Sequence, residues 1–440
     1  MLRARHGIVL AVLGLLVVAT VMVNSASLNL SRGGETTLDS VFWGKHTWFA
    51  LGAAAALLVG AMVPVDWLGR TGDAWWKTPV FWVAVAVVVG MALVQVPGIG
   101  REANGARRWI SLGPIGLQPS EIAKWGVPIV VAWYAIRERA RLHTFTWGFA
   151  VPLAAVSAVC GLIALEDLGT AVLIELVTVA MLVVAGARGI WVAAMAPVGL
   201  LAFVVLVITS PYRVNRIIAF LDPYADARGI GYHIIQSLEA IAGGGVAGRG
   251  LGNSELKFGY LPEATTDFIY SIVAEELGIA GSAVVVGLYV LFILCGLAVI
   301  GASARGAGTA APTGTTHASA ADAGASGARP AMALPEPELL SNFARLLGFG
   351  ILLTVGVQAL INICVVTGLA PTKGIALPLM SRGGTGWILT CLSIGLLISM
   401  DRGADRLRRE LGLPVPGEEQ DPFLQPAAQG GAVGTAAGAA

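Results

Sequence analysis

Charged side chains are scarce in this chain: Asp, Glu, Lys and Arg make up 12% of it, where soluble domains carry roughly 25%. With 56% hydrophobic residues, that shortage excludes an ordinary soluble domain and leaves a polytopic membrane protein. The 28 Lys and Arg almost balance the 27 Asp and Glu, for a formal net charge of +1. No basic face stands out, which argues against nucleic acid as a partner. Cysteine is also rare. Cys160, Cys295, Cys364 and Cys391 all lie in apolar runs, without CxxC spacing or a neighbouring His, so neither a disulfide framework nor a zinc site is indicated. No Ser/His/Asp or metal-ligand constellation and no GxxxxGK[ST] phosphate loop occurs, which removes the most recognisable hydrolase and nucleotide sites.

What the chain does have is long apolar runs. Crossing a bilayer core takes about 20 apolar residues in a helix. That length picks out ten candidate spans, near 7–27, 47–66, 79–97, 119–136, 147–165, 169–187, 190–209, 278–300, 343–367 and 385–400. Arg3, Arg5 and His6 before the first span imitate the start of a signal peptide. The apolar run is longer than a signal peptide's and further spans follow, so an uncleaved anchor is expected. The N-terminus, Arg70 and Lys77, Arg137, Arg139 and Arg141, Arg188, and the tail residues Arg402, Arg406, Arg408 and Arg409 fall on one side of this arrangement. The positive-inside rule makes that side cytoplasmic. Loops 98–118, 210–277 and 368–384 then face outward. Arg101, Arg107, Arg108, Arg213 and Arg216 break the rule there, and an anionic ligand outside would supply a local reason.

The expected organisation is spans one to eight within residues 1–303, including the outer loop 210–277. A linker follows at 304–338, then spans nine and ten within 339–400 and a tail at 401–440. The linker is rich in Ala, Gly, Thr and Pro and the tail ends in Gly and Ala, compositions that cannot bury enough apolar surface to order themselves. The outer loop is different. It is far longer than about 15 residues yet carries Tyr212, Phe220, Tyr224, Tyr232, Ile234, Ile235, Phe258 and Tyr260, so it should fold onto the membrane surface.

The most informative stretch is Leu261-Pro-Glu-Ala-Thr-Thr-Asp-Phe-Ile-Tyr270, which sets Glu263 and Asp267 between two strongly apolar segments. Carboxylates at membrane depth are expensive and point to function. Asp267 could equally cap the helix beginning near Phe268. Gln118-Pro-Ser-Glu-Ile-Ala-Lys124 opens the fourth span and puts Glu121 and Lys124 three apart on one helical face. Inside a bilayer such a pair shields two costly charges and lines a polar cavity; the plainer reading is interfacial snorkelling with a dipole role for Glu121. The glycine-dense segment 243–254, flanked by Arg249 and Lys257, reads as a tight re-entrant turn whose cations could face a phosphate. Asn104–Ile110, Pro371–Gly374 with Lys373, and Met380–Thr385 with Arg382 add cations. Glu166, Asp167, Glu275 and Glu276 add carboxylates near the same outer boundary, and Glu175 lies deeper in span six without an assigned partner. Carboxylates beside cations suit a lipid-linked, pyrophosphate-bearing substrate, because one group takes a proton from a sugar hydroxyl while the others stabilise the leaving group.

In order along the chain, NGARRWI (104–110), QPSEIAK (118–124), DLGT (167–170), PYRVNRIIAFLDPYAD (211–226), GYHIIQSLEAIAGGG (231–245), GLGNS (250–254), LPEATTDFIYSIVAEELG (261–278) and GLAPTKGIALPLMSRGG (368–384) resemble the SEDS family of FtsW, RodA and SpoVE. GLGNS and PTKG look closer to FtsW and SpoVE than to RodA. The resemblance implies an all-α polytopic membrane fold of about ten transmembrane helices, with a large extracytoplasmic loop between helices seven and eight. It also implies a bacterial cytoplasmic membrane, cytoplasmic termini, and polymerisation of lipid II outside with a class B penicillin-binding protein, in division or elongation. By the family's LPExHTDF motif Asp267 is the catalytic residue, and Glu121 and Lys124 match a functionally important pair. Glu263, Arg213, Arg216, Arg249, Lys257, Lys373 and Arg382 are the further candidates for the substrate cavity. No metal ligand or cofactor is implied, although a divalent cation beside the pyrophosphate is compatible with this chemistry. The chain departs from the family at Thr265, where His is usual, at Glu166, where Pro is usual, and at Arg382, where Tyr is usual. A lipid II flippase and a non-catalytic scaffold for the penicillin-binding protein are the competing readings.

Overall fold

A computed structural model describes residues 3–27, 44–70, 74–103, 106–112, 115–256, 265–309, 336–382 and 384–410. Among them are thirteen α-helices: α1 Ala4–Ala26, α2 Lys45–Met62, α3 Val65–Gly69, α4 Pro79–Gln95, α5 Pro119–Arg137, α6 Val151–Glu166, α7 Leu168–Ala185, α8 Gly189–Ile208, α9 Pro211–Leu221, α10 Tyr232–Gly244, α11 Ile269–Thr309, α12 Glu336–Val366 and α13 Thr385–Glu410. Eight stretches are long and apolar enough to span a bilayer. Two more helices bring the number to about ten: α4, which is apolar but 17 residues long, and α5, whose apolar run carries Glu121 and Lys124. The fold is that of an all-α polytopic membrane protein.

Local chemistry explains where the helices begin and end. Pro79 and Pro119 open α4 and α5 in the first turn, where the missing N–H costs nothing. Asp167 accepts from the Thr170 amide at 3.0 Å and the Thr170 hydroxyl at 2.7 Å, capping α7. α7 ends at Gly186, which takes φ 118°, a conformation that favours glycine. α2 and α13 pack along small residues: a Cβ on Gly60 would lie 2.1 Å from the Leu392 carbonyl oxygen, and one on Gly395 2.4 Å from that of Leu57. Without a hydrophobic force between helices in lipid, such close backbone approach is what binds them. α8 is the outlier, with 6% of its apolar window buried.

The structure departs from the sequence reading in three places. Loop 98–118 contains an antiparallel sheet, β1 Gly100–Ala103, β2 Ala106–Leu112 and β3 Ile115–Leu117, in the order β1-β2-β3 with a bulge between Arg101 and Glu102. Helix also intrudes into the expected linker and tail, because α11 runs to Thr309 and α13 to Glu410. Finally, the span expected from 278 is continuous with the helix read as beginning near Phe268, which starts at Ile269, and the two are separated by a break at Gly278, where φ is 66° and ψ −161°.

That break is stabilised by the glycine-dense segment. Interrupting a helix leaves carbonyls unpaired, and buried carbonyls need partners. The Arg249 and Gly250 amides donate to the Glu275 and Glu276 carbonyls at 3.0 Å each, and the Ile279 amide donates to the Gly245 carbonyl at 3.0 Å. The contact admits no side chains: a Cβ on Gly278 would lie 2.4 Å from the Gly248 nitrogen, and one on Gly248 2.2 Å from the Glu276 carbonyl oxygen.

Candidate active site

Asp267 lies in a turn at residues 265–268, immediately before α11. Three successive carbonyls of this turn are held from outside it. The Arg382 amide donates to Thr265 at 2.8 Å, the Ser381 hydroxyl to Thr266 at 2.6 Å, and Asn362 Nδ2 to Asp267 at 2.8 Å. His233 of α10 stacks on Phe268 with ring centroids 5.9 Å apart. The segment 374–382 is therefore the wall of the site. It is stiffened by the Leu377 amide donating to Ser381 Oγ at 2.6 Å and by Trp387 Nε1 donating to the Ser381 carbonyl at 2.7 Å. Gly374 lies beside the carboxylate, since a Cβ there would stand 3.3 Å from Asp267 Oδ2.

The second cluster is the ion pair of α5. Lys124 Nζ is 2.7 Å from Glu121 Oε2, with the Lys124 side chain 4% exposed and that of Glu121 19%. Lys124 also lies 5.4 Å from the Trp125 ring centroid. A Cβ on Gly386 would be 3.5 Å from Glu121 Oε2. Gly374 thus lies beside Asp267, and Gly386 beside Glu121.

The cations sort by what they already hold. Lys373 adjoins Gly374, and its Nζ is 5.3 Å from the Phe203 ring centroid. Burial lowers the pKa of this ammonium, an effect the nearby Asp167 carboxylate partly offsets. Arg382 has an exposed side chain on the residue whose amide holds Thr265. Arg216 donates to the Thr372 carbonyl at 3.1 Å and lies 4.4 Å over the Tyr212 ring. Two others serve the fold. Arg213 donates to the Leu206 and Ala164 carbonyls at 2.7 and 2.6 Å, closing the ends of α8 and α6. Arg249 pairs with Glu255 and Glu275 at 3.0 and 3.3 Å. Lys257 and Glu263 lie outside the described residues.

Several polar residues have structural employment that spacing alone did not reveal. Glu275 and Glu276 are 1% and 0% exposed and hold the 249–256 segment. Ser254 Oγ and the Glu255 amide donate to Glu275 at 2.5 and 3.0 Å, while Ser25 Oγ and the Gly252 amide donate to Glu276 at 2.7 and 3.0 Å. Glu166 accepts from the Arg107 amide at 3.0 Å, and Arg108 donates to the Glu166 carbonyl. The irregular arginines at this end of the bundle therefore include some that dock backbone rather than bind an anion. Asn362 and Gln358 of α12 were missed. Their signal was present, as two amides one turn apart in an otherwise apolar run. Among the described residues no group of three His, Cys, Asp or Glu gathers as a metal site.

The helical bundle, its sheet at one end and the hydrogen-bonded turn around Asp267 are those of a polytopic membrane protein. Residues 6–311 and 332–406 match the cell cycle protein family that groups FtsW, RodA and SpoVE, and the chain belongs to that family. It is 35% identical over 392 residues to a probable peptidoglycan glycosyltransferase FtsW of Legionella pneumophila, covering 89% of each chain. A protein of the same name from Nitrosococcus halophilus is 37% identical over 400 residues, with 90% of each chain covered. The fold matches a chain of a peptidoglycan synthase complex that coordinates polymerization and crosslinking, at TM-score 0.58 and 24% identity over 90% of this chain and 97% of that one. It also matches the crystal structure of the rod shape determining protein RodA of Thermus thermophilus, at TM-score 0.52 and 22% identity, covering 90% and 96%.

Proposed function

We propose that the chain is a peptidoglycan glycosyltransferase that polymerises lipid II, with Asp267 as general base. The observation that carries this reading is the placement of Asp267, whose turn is gripped at three consecutive carbonyls while its carboxylate lies against a glycine. A base must be fixed relative to the hydroxyl it deprotonates, and the reacting sugar needs room beside it. Asp267 takes the proton from the 4-hydroxyl of the acceptor's N-acetylglucosamine. That oxygen attacks C1 of the donor's N-acetylmuramic acid from the face opposite the leaving group. The C1–O bond breaks, its electron pair leaves with undecaprenyl pyrophosphate, and C1 inverts. Lys373 and Arg382, which belong to or adjoin the wall, and Arg216, which donates to the Thr372 carbonyl, stabilise the pyrophosphate. A divalent cation could share that charge. Glu121 and Lys124, beside Gly386, are the further polar pair offered to the substrate.

The positive-inside bias supports cytoplasmic termini and an Asp267 outside the bacterial inner membrane. A class B penicillin-binding protein is the partner, in keeping with the synthase complex whose fold the chain shares. The test is polymerisation of labelled lipid II by the purified chain with that partner. Wild type should form glycan and Asp267→Ala should not. Glycan from the substituted protein at the wild-type rate ends the proposal, and transport of lipid II without polymerisation by wild type would favour a flippase.

A further inference from the structure

We infer that Asn362 is a positioning residue that locks the Asp267 turn and the Gly374 wall into one geometry; this rests on the assignment of Asp267 as base. Asn362 sits on α12 and is 1% exposed. Its Nδ2 donates to the Asp267 carbonyl at 2.8 Å and to the Ile375 carbonyl at 2.7 Å. One planar NH2 group thus fixes both the distance and the angle between two segments about a hundred residues apart in the chain, since its two N–H bonds diverge in a set fork.

The remaining tethers show why this one matters. Thr265 and Thr266 are held by Arg382 and Ser381, which belong to the 374–382 segment themselves. Those bonds join turn to wall; Trp387 of α13 and Tyr289 of α11 tie the wall to spanning helices through the Ser381 and Pro378 carbonyls, but none of these bonds reaches Asp267. The wall is strained as well, because Leu379 adopts φ 61°, a conformation unfavourable for a residue other than glycine that persists only when neighbours enforce it. Asn362 joins turn, wall and helix at one atom. Gln358, one helical turn away, donates to the Ala376 carbonyl at 2.7 Å and so holds the wall alone. The amide oxygens of both residues, Asn362 Oδ1 and Gln358 Oε1, are buried without a hydrogen-bond partner among the described residues. Both amides direct their donors at this segment. A site built on loops gains its accuracy from such support by a rigid element.

Gln358 provides an internal control. Asn362→Leu keeps the branching and heavy-atom count of the side chain and removes both donors, Asn362→Ser retains one shorter donor in case the first variant folds poorly, and Gln358→Leu frees the wall but not the turn. Hydrogen exchange of the purified full-length protein should show faster exchange in residues 265–277 and 371–382 together for Asn362→Leu, and only in 371–382 for Gln358→Leu. In lipid II polymerisation with the penicillin-binding partner, Asn362→Leu should lower kcat roughly a hundredfold, the scale of a misplacement near 1 Å, with KM unchanged and a thermal midpoint that, though lowered, leaves the protein folded at the assay temperature. Wild-type kcat in Asn362→Leu, faster exchange in one segment alone, or a loss of kcat that follows global unfolding would each overturn the inference. Absence of glycan from wild type would instead defeat the assignment of Asp267, and the exchange data would still decide whether Asn362 couples the two segments.

Discussion

Gly374 occupies the space beside Asp267: a Cβ at that position would stand 3.3 Å from Oδ2 of the carboxylate. The glycine keeps the base accessible along that side, and its requirement is spatial, since Gly374 is not among the glycines with positive φ. Gly374→Ala should therefore fold normally and lose activity moderately, because the neighbour need yield only a few tenths of an ångström. Gly374→Val crowds the carboxylate further and should lower kcat about tenfold or more, as expected when reacting groups are displaced by an ångström or less. Initial rates of lipid II polymerisation by the two variants, compared at equal folded fraction, check the gradation. Equal rates for both would show that no reactant approaches by this side.

The Glu121–Lys124 pair makes a separate prediction about charge. With Lys124 4% exposed, removing its partner leaves a nearly dry cation, and breaking a buried pair costs about 3–5 kcal/mol. Glu121→Gln should lower the thermal midpoint clearly. The double variant Glu121→Gln with Lys124→Met should recover most of that stability, because the unpaired charge is gone. Polymerisation should not recover if the pair contacts substrate. Restored activity in the double variant would assign the pair to stability alone.

How much of this was readable in the sequence depended on the physics behind each element. Bilayer thickness fixes the length of a span, so apolar runs gave ten segments that all contain helix. The start of α11 was not readable by that criterion, since Glu275 and Glu276 lower the hydropathy of residues 269–277. Their cost is offset by donors from Ser25, Gly252, Ser254 and Arg249, which are distant in sequence. The three short strands at 100–117 left no sustained alternation to detect. Asp267 could be singled out as an ionisable group in an apolar setting, but its support by Asn362 could not. An amide in a span announces that it needs a partner without saying which.

The junction between Gly248 and Gly278 predicts a local rather than a global defect. Gly278 holds φ 66° and Gly248 φ 79°, and a Cβ on either would enter the other's backbone at 2.4 to 2.7 Å. Gly278→Ala should detach the 245–256 segment from α11, breaking the bonds to the Glu275 and Glu276 carbonyls. The expected result is faster protease cleavage within 245–256, reduced polymerisation, and spans that remain folded. Unchanged cleavage would mean that the carboxylate contacts of Glu275 and Glu276 hold the segment without the backbone junction.

Lys373 is the group whose titration should be visible in stability. Burial lowers its folded pKa from the ordinary 10.5, and Asp167 offsets the effect only in part. The folded state therefore binds this proton less well than the unfolded state, so stability rises with pH from the lowered folded value up to about 10.5. Below that window the full cost of holding the ammonium is present. Lys373→Met should remove that cost, raising the thermal midpoint at neutral pH, with the gain shrinking as the pH approaches 10.5. Activity should move in the opposite direction and fall, because the cation beside the Gly374 wall is lost from pyrophosphate stabilisation. A variant that is more stable yet less active, with a stability gain that fades at alkaline pH, is the signature of a charge retained for function. A gain that persists unchanged above the window would attribute it to added apolar packing against Phe203 instead.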